Sequence, residues 1–162
     1  MTAFAPWIVA MQEGMRTGAG IDVPCGDCVA CCTSAQQIVV DHDERVALPA
    51  HAVVGGVLAT DDAGACVLLV DGRCSVYDHR PRRCRTYDCR IFVATGIVPE
   101  ADKPAIATRA AQWRFTFDTD DDRRRRDAVH MAVVMVRTSQ DTRPASATQL
   151  AAAAIQLHEE LL

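Results

Sequence analysis

The chain has 162 residues, enough for one domain with a real core, and carries 17 basic against 21 acidic side chains for a formal charge of −4. That balance leaves no electrostatic footprint for nucleic acid, no apolar stretch is long enough to span a bilayer, and the N-terminus lacks the basic region of a secretory signal. No nucleic-acid partner and no membrane are expected, and a cytoplasmic location is.

Phe4, Trp7, Ile8 and Met11, at spacings of three and four, predict an amphipathic helix from Phe4 to about Arg16, with Gly14, Gly18 and Gly20 marking its exit. Pro24 opens a cysteine-rich run. Gln37 to Val40 reads as a short strand, since Ile38, Val39 and Val40 are β-branched, and Asp41 with Glu44 can start a brief helix. Gly55-Gly56 and the Asp61 to Gly64 tract read as loops. In residues 66–77 an Asp71-Gly72 pair between two β-prone runs predicts a hairpin. After Pro81 one short helix is expected to run through Cys84 and Cys89 and to end near Gly96 and Pro99. A linker to Pro104, a helix towards Trp113, an alternating strand at residues 113–117 and two helices over 120–137 and 146–161 follow. The expected fold is α+β, mainly helical. It is a small single domain over 1–162, with a Cys-rich segment at about 25–92 and a helical part at about 104–161.

Eight cysteines crowd into residues 25–32 and 66–89. In a reducing compartment such clustering points to metal or redox chemistry rather than disulfides. Cys25, Cys28 and Cys31 recur every third residue, so a loop wrapped about a metal can turn their sulfurs to one centre, and at least three of the first four thiols are expected to converge. Adjacent side chains diverge, which leaves Cys32 for a second centre or for none. A two-residue turn at Asp71-Gly72 would pair Val70 with Arg73, Leu69 with Cys74 and Cys66 with Tyr77, putting Cys66 and Cys74 on opposite faces. On a continuous helix Cys84 and Cys89 would stand roughly 140° apart. Two centres, or one with spare thiols, are thus favoured over one site using all eight.

CGDCVACC at 25–32 followed by CVLLVDGRCSVYDHRPRRCRTYDC at 66–89 resembles the YkgJ-like cysteine-cluster proteins, the CxxCxxCC family of zinc- or iron-chelating domains. The resemblance implies chelation by Cys25, Cys28, Cys31, Cys32, Cys74 and Cys84, with Cys66 and Cys89 at positions often occupied by Cys in relatives. Zinc or iron is the expected metal, with an iron–sulfur cluster among the forms open to it. Flagellin lysine-N-methylases look like larger relatives, which keeps open an iron or iron–sulfur enzyme subunit acting on a protein or peptide partner. A structural zinc module for protein association is the third reading.

Arg80 and Arg85 flank Cys84 in an RPxxCR pattern and are expected to offset thiolate charge, while Arg82 and Arg83 fit an exposed face equally well. Acids before bases in residues 118–127 predict a solvated helix start. His79 alone lies within the Cys-rich stretch, and the other histidines, His42, His51, His130 and His158, read as surface residues. Trp113, Phe115 and Phe117 read as core. No phosphate loop, dinucleotide fingerprint or zinc-protease motif is present, and no catalytic residue is assigned.

Overall fold

A computed structural model describes residues 1–21, 23–139 and 146–162. Six α-helices occur among the described residues: α1 (Phe4–Thr17), α2 (Arg82–Thr86), α3 (Arg90–Thr95), α4 (Pro104–Ala110), α5 (Asp120–Thr138) and α6 (Ala147–Leu157). Three two-stranded sheets accompany them. Parallel β1 (Thr2–Ala3) and β6 (Phe115–Thr116) pair across the helical part, while β2 (Val53–Val54) with β3 (Val57–Leu58), and β4 (Leu69–Val70) with β5 (Arg73–Cys74), are antiparallel hairpins. The chain is thus α+β and mainly helical, as its patterning predicts.

Two hydrophobic cores hold this arrangement. The larger gathers Phe4, Trp7, Ile8 and Met11 of α1 with Ile91 and Phe92 of α3, Ile106 of α4, Val129 and Val133 of α5, and Ile155 of α6. Phe115 and Phe117 pack on Phe4 at ring separations of 5.1 and 5.2 Å, which fits their reading as core. The smaller core is only Val40, Leu48, Ala52, Leu58 and Leu68. It supports a lobe containing both hairpins.

Asp122 ties the larger core together. Its carboxylate accepts from the backbone N–H of Thr119 at 2.9 Å, closing a capping box at the start of α5, and from Ala5 N–H at 2.7 Å at the start of α1. One buried carboxylate therefore serves the positive ends of two helices. These bonds hold its carboxyl down to about 2, with the Thr119 hydroxyl contributing most. The following arginines pair one turn back, Arg123 with Asp120 and Arg124 and Arg125 with Asp121, so the charge run is a helix start as expected.

Several local expectations change. Gly55-Gly56 is the turn of a hairpin, with φ of +58° and +85°. Two successive positive φ values suit a two-residue turn between strands, and glycine reaches them without steric cost. The stretch around Val39 contributes only an isolated bridge to Val57, and the brief helix near Asp41 is a 3₁₀ turn at Arg45–Ala47. His158 is not a surface residue. It is fully buried, with Nδ1 2.6 Å from the carbonyl oxygen of Ile155. No helix among the described residues is long and apolar enough to cross a membrane.

Candidate metal centre

The helix expected across Cys84 and Cys89 is broken. α2 ends at Thr86 and α3 begins at Arg90, with Cys89 at its N-cap. Asp88 is the physical cause. Its carboxylate accepts from the backbone N–H of Arg90 at 2.9 Å, and from Trp7 Nε1 at 2.8 Å. It also pairs with the Arg90 guanidinium at 2.8 Å, with both side chains almost wholly buried. A side-chain oxygen that captures the N–H two residues on restarts the helix in a new direction. Cys84 and Cys89 consequently belong to different surroundings.

The hairpin between β4 and β5 forms as expected, with Leu69 opposite Cys74 and Val70 opposite Arg73, and with φ of +49° at Asp71 and +73° at Gly72. Its extension does not. Cys66 leaves the ladder through a turn, Leu69 N–H donating to Cys66 O at 2.9 Å, and bridges Thr60 instead of Tyr77. The opposite-face argument therefore loses its basis, and Cys66 and Cys74 line one cleft.

All eight cysteines are free thiols. They line two adjoining cavities. A small one of about 20 Å³ has Cys25, Cys28, Cys31 and Cys89 in its wall. A cleft of about 400 Å³ is lined by Cys32, Cys66, Cys74 and Cys84, and shares Cys25, Cys28 and Cys31 with its neighbour. The largest electrostatic couplings follow the same division, while Cys32 also acts on Cys31 and Cys28 on Cys32. Burial raises Cys31, and Cys89 and Cys25 are the thiols that add most to the rise. Burial pushes Cys84 up to about 12, with Cys32, Cys66 and Cys74 adding to it. Cys32 is pushed up to about 11, first by burial and then by Cys74 and Cys66. Cys31 and Cys32, adjacent in sequence, thus differ in the thiols that act on them most.

Among the described residues no group of three or more His, Cys, Asp or Glu side chains stands so that it could hold a metal ion. Closure of three first-run thiols to ligand distance is therefore not reached, although these side chains line common cavities rather than radiating into separate packing. Eight soft donors lining two adjoining cavities fit zinc or iron in kind and number. His79 lines neither cavity.

Of the arginines, Arg80 answers the charge expectation best. Its guanidinium lies 4.0 Å from the Tyr77 ring centroid, its buried Nε has no hydrogen-bond partner, and its charge opposes the rise at Cys32 and Cys84. Arg85 also lines the cleft but pairs with Glu44 at 3.6 Å, and Arg82 pairs with Asp41 at 2.8 Å. Sequence reasoning missed Asp88 and Arg90. The only local signal was their position on either side of Cys89.

No curated protein and no solved structure matches the chain. The sequence profile of the CxxCxxCC family, described as "Putative zinc- or iron-chelating domain", matches residues 24–112, more than half of the chain and a span that holds every cysteine. The chain belongs to the CxxCxxCC family of zinc- or iron-chelating domains.

Proposed function

We propose that the chain binds zinc or iron in two four-thiolate centres, one held by Cys25, Cys28, Cys31 and Cys89 and the other by Cys32, Cys66, Cys74 and Cys84. The observation that carries this reading is the helix break at Tyr87-Asp88, with Cys84 and Cys89 in the walls of different cavities. Four thiolates satisfy tetrahedral zinc and equally the corner irons of an iron–sulfur cluster. The buried thiols resist ionisation without a metal, so binding would release protons and weaken as pH falls. Gly26, with φ of +58° and open space about it, and the tight turn at Gly72 would let the loops draw their sulfurs inward. Thiols kept free for a metal suit the cytoplasm.

A second reading rests on the cleft of about 400 Å³, which opens beside the second set and mixes apolar walls with Arg80 and Tyr77. Such a cleft suits an iron centre acting on a protein or peptide partner. Metal analysis and an absorption spectrum of anaerobically purified protein test the main proposal. Two zinc ions per colourless chain, or iron with sulfide in a brown one, are expected, and Cys28→Ser and Cys74→Ser should each empty one centre. Loss of all metal in either variant overturns the two-centre arrangement, and full metal content in both overturns thiolate binding.

A further inference from the structure

Trp113 lies one residue past the segment that the family profile covers. Even so, its indole Nε1–H donates to Cys89 Sγ at 3.2 Å. A neutral thiol is a weak acceptor, whereas a thiolate makes a charge-assisted bond. An indole fixed at this distance is therefore matched to the ionised sulfur.

The indole is itself held. Arg109 stacks over the Trp113 ring at 4.4 Å, and Arg90 approaches the same ring at 5.5 Å. The Arg109 guanidinium also reaches back to the carbonyl oxygens of Pro24 and Cys25, each at 3.4 Å, and is braced by Gln112 Oε1 at 2.9 Å. Arg109 and Trp113 follow one another around the end of α4. Together they touch the loop that carries Cys25 and the sulfur of Cys89, two parts of the chain that only the tertiary fold brings together.

We propose that Arg109 and Trp113 are positioning residues of the first thiol set, with Arg109 holding the Cys25 loop and the Trp113 N–H orienting and stabilising the Cys89 thiolate towards a bound metal. The proposal rests on the reading of Cys25 and Cys89 as ligands. Packing alone does not explain it, because phenylalanine would fill most of the same space without the N–H.

The test uses the full chain loaded with cobalt(II), whose thiolate charge-transfer bands report on the sulfurs. Trp113→Phe should still take two cobalt ions. One of them should then be held about tenfold less tightly against a competing chelator, within the usual range for loss of a group that orients a metal ligand. Its charge-transfer band should move to lower energy, and the other ion should not change. Unchanged affinity and spectrum would overturn the clamp. A measurement on the wild type guards against a variant that fails to fold: the Trp113 indole proton should exchange with solvent more slowly when zinc is bound, and equal exchange with and without zinc overturns the proposal. Cys89→Ser separates this from the underlying reading. If it loses one cobalt ion while Trp113→Phe behaves as wild type, only the clamp fails, and if it keeps both ions, Cys89 is no ligand and the first centre falls with it.

Discussion

The helical body and the cysteine-rich lobe are stabilised by different means. In the body, α1, α3, α4, α5 and α6 interlock around a large apolar core, and Asp122 and Asp88 tie helix ends together from distant parts of the chain. The lobe has five buried side chains for a segment running from Val40 to Leu68, and its two hairpins are four residues of pairing each. So small a core is weak compensation for the entropy of ordering those loops. The two thiol sets divide accordingly: Cys89 sits in the body's core, whereas Cys66 and Cys84 pack on the small one. The difference teaches that apolar burial holds the body, while the lobe has far less of it to hold its loops.

The strongest way to break that comparison is to remove the metal. Structural zinc contributes about 10–16 kcal/mol of apparent binding free energy at neutral pH, comparable to the whole stability of a domain at about 5–15 kcal/mol. Chelation under reducing conditions should therefore abolish amide-exchange protection in residues 38–76 while α5 and α6 keep theirs. Equal loss in both regions, or none, would dissolve the distinction.

Next in size is Asp88→Asn, which removes the carboxylate charge facing Arg90 in a nearly solvent-free site. Breaking a buried pair by removing one partner costs about 3–5 kcal/mol. The body's unfolding midpoint should fall, and the first centre should lose more metal affinity than the second, since Cys89 follows Asp88 directly. An unchanged midpoint in thermal unfolding would show that the pair does not anchor the break between α2 and α3.

Gly72→Ala acts on the lobe alone. No atom lies within 4 Å of the Cβ it would add, so the cost is conformational, from φ of +73°. A left-handed backbone costs an L-residue about 1 kcal/mol. A modest loss of affinity confined to the set containing Cys74 is expected in a metal competition titration, with the body's midpoint unmoved.

What could be read in the sequence divides along the same line of local against distant causes. The Asp71-Gly72 hairpin and the helix start at Asp120 follow from residues next to one another, and each is found where the pattern predicts. The sorting of the cysteines is not local. It turns on Asp88, whose partner Trp7 is 81 residues away, and on Cys66 pairing with Thr60 rather than continuing the hairpin. Extending regular geometry through Cys66 and across Cys84 to Cys89 therefore misplaces both. Trp113 was readable as an aromatic packing residue, but the hydrogen bond it makes depends on where α3 begins.

The smallest expected effect is the acid response of the body, and Asp122 supplies its sign. Its folded carboxyl is lowered to about 2, chiefly by the Thr119 hydroxyl and then by the Ala5 N–H, against an ordinary aspartate value of about 3.9. Between those values the unfolded chain binds more protons than the folded one, so stability from this group is fully present above about pH 4 and is lost as pH falls through about 2. Metal release complicates acid titration of the whole protein, because thiolates reprotonate as pH drops. The body should therefore be followed by the helical signal of metal-free protein. Wild type should lose stability between about pH 4 and 2 more steeply than Asp122→Asn, which has no carboxyl to titrate there, while the two curves run parallel above pH 5. Parallel curves throughout would mean that the bonds to Thr119 and Ala5 do not favour the ionised carboxylate, and the double cap joining α1 to α5 would lose its electrostatic basis.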